Sequence, residues 1–227
     1  MNQIEKSTLY IVSTPIGNLG DITYRAVEVL KGVDVIACED TRHSKKLLTH
    51  YEIKNRVIAY HSYNEENSAN GIISLLNSGN SVALVSDGGT PCISDPGVFL
   101  VKKCIESGIN VVPIPGASAL LSALVSSGFR TDKFSFIGFL SPKSGKRKNQ
   151  LTESKNFEGT IILYESPYRI LKLIEDVGEV FPNKKICVIK ELTKINEKKT
   201  FGAPKETLEI LTKEKILGEF VLLIANY

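Results

Sequence analysis

Short β-branched runs alternate with amphipathic stretches and glycine- or proline-bearing turns along this 227-residue chain. That alternation limits the possible folds more than any other feature. It is the pattern of βαβ units, because parallel strands need a crossover connection, usually a helix. In the first half the strand-like runs are Leu9–Ser13, Val33–Ala37, Val57–Tyr60, Val82–Ser86 and Val111–Ile114. Helical spacing fills the gaps: Ile22–Leu30 behind a capping Asp21, a stretch from Asp40 or Thr41 to Tyr51, Glu65–Leu76 and Pro96–Glu106. Asn64 is placed to cap the third, and Gly79 and Gly108 follow the last two as helix ends often require. Pro113 and Pro115 bracket a hinge, and Pro115–Ser118 opens a small-residue helix running to about Ser127. Beyond it, strands fit Phe134–Phe139, Thr160–Tyr164, Ile186–Lys190, about Lys198–Phe201 and Phe220–Ala225. Helices fit near Asn149–Ser154, Pro167–Val180 and Pro204–Leu211. The expected fold class is α/β with two domains: 1–114 around a mainly parallel sheet, and 115–227 around a mixed one.

With 42% hydrophobic and 23% charged residues the chain can bury a core. No apolar run approaches the roughly 20 residues that span a bilayer. The polar start, Met1 to Lys6, runs straight into a strand, so no signal peptide is expected. Cys38, Cys92, Cys104 and Cys187 are scattered and suit reduced thiols in a cytoplasmic protein rather than a disulfide or zinc framework. Residues 1–114 hold 10 Lys/Arg against 12 Asp/Glu, a net −2, whereas 115–227 hold 18 against 13, a net +5. A polyanionic partner would therefore lean on the second half.

Ligands of open α/β sheets bind beyond the carboxyl ends of the strands. Glycine and proline concentrate there: Thr14-Pro15-Ile16-Gly17-Asn18 after the first strand, Ser86-Asp87-Gly88-Gly89-Thr90-Pro91 and Ser94-Asp95-Pro96-Gly97 after the fourth, Pro115-Gly116-Ala117-Ser118 after the fifth. Three such loops on one edge imply a bound small molecule whose groups approach the main chain closely. The common signatures are missing. Pro15 stands where a nicotinamide-binding loop has its first glycine. The segment from Gly138 to Gly145-Lys146 has six intervening residues where a P-loop has four, and is followed by Arg147. Gly116-Ala117-Ser118-Ala119-Leu120 lacks the second glycine of a serine-hydrolase elbow, and no zinc motif is present.

Four strings in order, Leu9–Leu19, Cys38-Glu39-Asp40-Thr41-Arg42, Val85–Gly97 and Pro113–Ala119, closely resemble the bacterial 16S ribosomal RNA (cytidine 2′-O)-methyltransferases of the tetrapyrrole-methylase superfamily. Tyr164-Glu165-Ser166-Pro167-Tyr168-Arg169 and Glu191-Leu192-Thr193-Lys194 extend the resemblance over nearly the whole chain. The chain departs from that family at Gly88 (usually Ala), Cys92 (Gly), Ala117 (Pro), Tyr168 (His) and Lys190 (Arg). Family members commonly continue with a short C-terminal extension past the position of Tyr227. The resemblance implies two α/β domains of the class III methyltransferase type with S-adenosylmethionine in a cleft between them. Pro15, Ile16, Gly17, Asp87, Gly88, Gly89, Thr90, Gly116, Ala117 and Ser118 would hold it, with Tyr164 closing from the second domain. It also implies 2′-O-methylation of a cytidine ribose in the decoding region of the small subunit, a homodimer, and no membrane partner.

A sulfonium methyl is already activated, so no metal site is expected. A ribose hydroxyl must still lose a proton. Glu39, Asp40 and Lys194 are the main candidates for that step, with Glu65 and Glu191 behind them, and Asp40 or Thr41 serves equally well as a helix cap. Lys194 qualifies only if desolvation lowers its pKa. His43, in a charged helical stretch, reads as exposed, and Glu165 as structural. For RNA, Lys143, Lys146, Arg147 and Lys148 put four cations within six residues of a loop-like segment, with Arg42 near the first sheet and Arg130 and Lys133 extending the patch. Two alternatives stay open: a methyltransferase of corrin or porphyrin precursors, and a ribosome-binding factor that holds the cofactor without catalysis.

Overall fold

The computed structural model describes residues 4–61 and 65–227. The chain separates into two compact units, Met1–Ser118 and Ala119–Tyr227. The division falls four residues beyond the expected 114, because the loop 115–118 bonds back onto the first unit, as described below.

The first unit is a five-stranded parallel sheet in the order β3-β2-β4-β1-β5. Its strands are β1 Thr8–Val12, β2 Val35–Cys38, β3 Arg56–Ala59, β4 Val82–Val85 and β5 Asn110–Ile114. Central strands β2 and β4 are buried at every residue, as continuous apolar runs covered on both faces must be. Their period of two sorts them cleanly. Ile36, Cys38, Ala83 and Val85 join one core with Ala26, Val29 and Leu30 of α1 (Tyr24–Gly32) and Leu48 of α2 (Thr41–His50). Val35, Ala37, Val82 and Leu84 join the other core with Ala69, Ile72 and Leu76 of α3 (Glu65–Asn77) and Leu100 and Cys104 of α4 (Val98–Glu106).

That sorting locates the ligand edge. β1 and β4 are neighbours, yet the chain leaves β1 for α1 on one face and leaves β4 for α4 on the other. The two connections therefore run to opposite faces, which makes the carboxyl edge of this strand pair the switch point where doubly wound sheets bind ligands.

The second unit is a mixed sheet, β6-β7-β10-β8-β9, with only β6 and β7 parallel. Its strands are β6 Phe134–Gly138, β7 Gly159–Glu165, β8 Ile186–Lys190, β9 Lys198–Gly202 and β10 Phe220–Asn226. One face packs on α6 (Ser144–Glu153), α7 (Ile170–Val180) and α8 (Pro204–Leu211). In α7, Ile170, Leu173, Ile174, Val177 and Val180 recur at helical spacing and are buried. Each contributes about 1.5–3 kcal/mol. The shorter α5 (Ala119–Ser126) lies against β7 and β10.

Two local expectations are corrected. Asp21 closes a short 3-10 turn, Leu19–Asp21, and the cap of α1 is Thr23, whose hydroxyl accepts from Ala26 N at 3.1 Å. The helix expected near Asn149 starts five residues earlier, at Ser144, so the basic segment is a helical turn rather than a loop. Asp40, not Thr41, caps α2, accepting from Arg42 N at 2.8 Å. The expected cap Asn64 lies outside the described residues. All four cysteines are free thiols. Among the described residues no helix is long and apolar enough to cross a membrane.

Candidate active site

Three loops at the carboxyl edge of the first sheet hold one another. Beyond β1, Thr14 and Gly89 exchange two backbone hydrogen bonds of 2.8 and 2.9 Å, an isolated antiparallel bridge joining the β1–α1 loop to the β4–α4 loop. The Thr14 hydroxyl donates to Ser86 O at 3.1 Å. The Thr90 hydroxyl donates to Ala117 O at 3.1 Å, so Ser13 Oγ is the donor in its 2.9 Å contact with Thr90 Oγ1. One chain of hydroxyls thus links all three loops. Gly89 supplies a positive φ of 90°, and a Cβ on Gly116 would stand 2.9 Å from Ser13 Cβ. No larger residue fits Gly116 without moving the third loop off the first.

Of the residues expected here, Pro15 and Gly89 are buried in this joint, and Ile16, Thr90, Ala117 and Ser118 are half-buried. Gly17, Asp87, Gly88 and Gly116 are exposed. The outer surface is therefore bare main chain around one carboxylate. Asp87 Oδ1 accepts from Asp40 N at 3.4 Å, which ties the end of β2 to the same edge. Bare peptide groups beside a carboxylate fit the hydroxyls, amine and cationic centre of a folded sulfonium nucleotide.

The carboxylates here differ in state. Asp40 is spent: beyond its cap bond, its oxygens accept from the Arg42 guanidinium, which holds its pKa at about 2. Glu39 is half-buried and has no hydrogen bond among the described residues. Burial, then the charges of Asp87 and Asp40, push its pKa up against an opposing His61. Asp95 is pushed to about 6, first by burial and then by Glu39, while a hydrogen bond to Ser86 and the charge of Asp87 act in opposite directions. Asp95 is the residue that sequence reasoning missed, because Ser94-Asp95-Pro96-Gly97 reads as a turn. That turn is strained: Cys92 and Ser94 hold φ of 72° and 69°, each at about 1–2 kcal/mol over an extended or helical backbone. Glycine, which the resembled family carries at Cys92, would take that conformation freely.

The remaining first-unit candidates are structural or exposed. Glu65 accepts from Tyr60 OH at 2.9 Å and from Gly97 N at 3.1 Å, pinning α3 to the start of α4. His43 is exposed, and Arg42 is occupied by Asp40.

In the second unit Tyr164, at the end of β7, is half-buried and lies edge-to-face with Phe136 at 4.7 Å and Phe139 at 5.8 Å. Lys194 donates to Glu191 Oε1 and Glu219 Oε2, both at 2.9 Å. Its burial acts to lower the pKa, but the two carboxylates outweigh it and raise the pKa, so the amine stays protonated and is no base. Glu191 is consumed in the same clamp, accepting also from Glu219 N at 3.1 Å.

The basic cluster is divided. Arg147 is only 2% exposed and reaches inward to Asp176, with Nε to Oδ2 at 2.6 Å and Nη2 to Oδ2 at 2.5 Å. Its remaining donors go to the carbonyls of Ser141, Pro142 and Lys172. It anchors α6 on α7, which is why the helix starts early, and the expectation that it touches RNA is corrected. Lys148 pairs with Glu179 at 2.6 Å and Asp176 at 3.6 Å. Lys143 and Lys146 are exposed and enter no ion pair among the described residues. Arg130 is engaged by Asp132 and the Tyr227 ring, and Lys133 lies over Phe157. Among the described residues no group of three or more His, Cys, Asp or Glu is placed to hold a metal ion.

Residues 8–207 match the tetrapyrrole (corrin/porphyrin) methylases. The ribosomal RNA small subunit methyltransferase I of Halalkalibacterium halodurans is 44% identical over 220 residues, 97% of this chain and 76% of its own length. That of Synechocystis sp. is 48% identical over 219 residues, 96% of this chain and 78% of its own. In fold, the chain resembles the uroporphyrin-III C-methyltransferase of Thermus thermophilus solved with S-adenosyl homocysteine. The TM-score is 0.68 at 16% identity, over 96% of both chains.

Proposed function

The chain belongs to the tetrapyrrole (corrin/porphyrin) methylase family, and we propose that it transfers a methyl group from S-adenosylmethionine to the ribose 2′-oxygen of a cytidine in 16S ribosomal RNA of the small subunit. The observation that carries this reading is the joint of three loops at the switch point of the first sheet, which presents main chain and Asp87 to a ligand. The substrate class rests on the relatives. Those whose names specify small-subunit ribosomal RNA are 44% and 48% identical to this chain over 220 and 219 aligned residues, whereas the porphyrin enzyme shares the fold alone.

S-adenosylmethionine supplies, when bound, a methyl group made electrophilic by its sulfonium sulfur. Residues 15–17, 87–90 and 116–118 would bind it through peptide groups and Asp87. Glu39 takes the proton of the 2′-hydroxyl. Of the carboxylates and the lysine singled out for this step, it alone is both at the ligand edge and unspent, and its raised pKa suits a general base. Asp87 and Asp40 add to that rise with their charges. Lys143 and Lys146 meet phosphate. The protein works as a homodimer in the cytoplasm, without a membrane partner, on ribosomal RNA or the assembled subunit.

The test offers the protein tritiated S-adenosylmethionine with small ribosomal subunits lacking the modification, or with a corrin precursor. Labelled 2′-O-methylcytidine in the digested RNA is the expected product. Label in the corrin precursor alone, or cofactor binding without turnover, overturns the reading.

A further inference from the structure

At the carboxyl edge of the second sheet, Phe139 leaves β6 53% exposed and Tyr168 stands 91% exposed in the turn between β7 and α7. The framework beneath these two rings is built to hold them. β6 and β7 are paired and parallel, so their exit loops are neighbours. Arg169 bridges those loops, donating to Leu140 O at 3.5 Å, directly after Phe139. Its guanidinium is fixed in turn by Glu165, whose side chain is fully buried, through contacts of 2.7 and 2.8 Å to Oε1. Phe139 is braced from below by the Tyr164 ring. Lys143, at the cap of α6, and Lys146, in its first turn, follow in the chain and enter no ion pair among the described residues. Exposed, braced rings beside unpaired cations are the two elements by which proteins hold single-stranded nucleic acid: π faces for the bases and positive charge for the phosphates.

We propose that Phe139 and Tyr168 form a stacking platform for unpaired bases of the RNA, with Lys143 and Lys146 holding the backbone. This rests on the ribosomal RNA reading above and names the residues that grip the strand. Charge complementarity favours RNA over a protein partner, since the rings are flanked by cations.

The probe is a single-stranded RNA oligonucleotide carrying 2-aminopurine beside the target cytidine, titrated into the full chain over a salt series. Phe139→Ala and Tyr168→Ala are each expected to weaken binding about tenfold, to abolish the 2-aminopurine signal, and to leave the salt slope unchanged. Tyr168→Phe keeps the π face and restores wild-type binding. Lys143→Glu with Lys146→Glu lowers the slope instead. Cofactor affinity and Tm within error of wild type show that the variants fold. If both alanine variants bind RNA as wild type does while subunits are still methylated, the platform is wrong and the ribosomal reading stands. If they change the oligomeric mass and not RNA binding, a second copy of the chain covers the rings and the proposal falls. If wild type neither binds nor methylates RNA, the ribosomal reading falls, and the platform falls with it.

Discussion

The two sheet edges that carry the chemistry are built by opposite means. At the first, the work is done by main chain: a two-bond bridge between Thr14 and Gly89, a hydroxyl relay from Ser13 through Thr90 to Ala117, and a glycine at 116 whose Cβ would strike Ser13. At the second it is done by side chains fixed through tertiary pairing: Arg147 on Asp176, Arg169 on Glu165, Tyr164 against Phe139. A surface of peptide groups tolerates few residue types and grips one small molecule closely. A surface of rings and cations on braced loops can take a longer, variable polyanion. The proposal that the cofactor sits at one edge and the RNA strand at the other rests on this contrast.

The comparison breaks first at Glu39. Glu39→Gln should cut methyl transfer about 10²- to 10⁴-fold while calorimetry shows unchanged cofactor affinity. A loss of affinity instead would make Glu39 part of the binding surface, and unchanged turnover would remove it as the base. Next is Arg147. Arg147→Ala leaves Asp176 buried without its partner and should cost about 3–5 kcal/mol of stability, read by denaturant unfolding. Lys143→Glu with Lys146→Glu should leave stability within about 0.5 kcal/mol. Equal stability for both variants would return Arg147 to the exposed basic surface.

Smallest is the effect of Asp95. Its pKa rises on folding from the ordinary 3.8 to about 6, so between those values the folded chain binds more protons than the unfolded one. Stability therefore falls as pH rises through this window, and the cost persists above it. Asp95→Asn should remove that fall, leaving the variant with the higher Tm at pH 7 and little difference near pH 4. Parallel Tm profiles would show that Asp95 is not perturbed.

The first edge was legible in the sequence because its constraints are local. Gly89 and Gly116 are needed for a backbone angle and a close approach, and strand, turn and helix periods put their loops on one side. The second edge was only partly legible. Lys143, Lys146, Arg147 and Lys148 look alike as a run, and whether a cation faces water depends on Asp176, some thirty residues away. The same distance hid the start of α6, since Gly145 and the charges argue for a loop while the buried Arg147 pair favours a helix. Phe139 and Tyr168 carried no signal of exposure, as an aromatic ring after a strand reads the same in sequence whether it turns to the core or to water. Lys194 stays protonated for a partly related reason: beside Glu191, three residues away, Glu219 also raises its pKa and is distant in sequence but adjacent in space.

The most direct test of the account is a crystal structure of the full chain with S-adenosyl homocysteine. The account predicts the ligand against the main chain of residues 14–17, 87–90 and 116–118, with Asp87 in contact and Glu39 facing the sulfur. A ligand bound elsewhere, for instance in the open hollow of about 570 Å³ beside Tyr10, Arg25 and Val112, would contradict it.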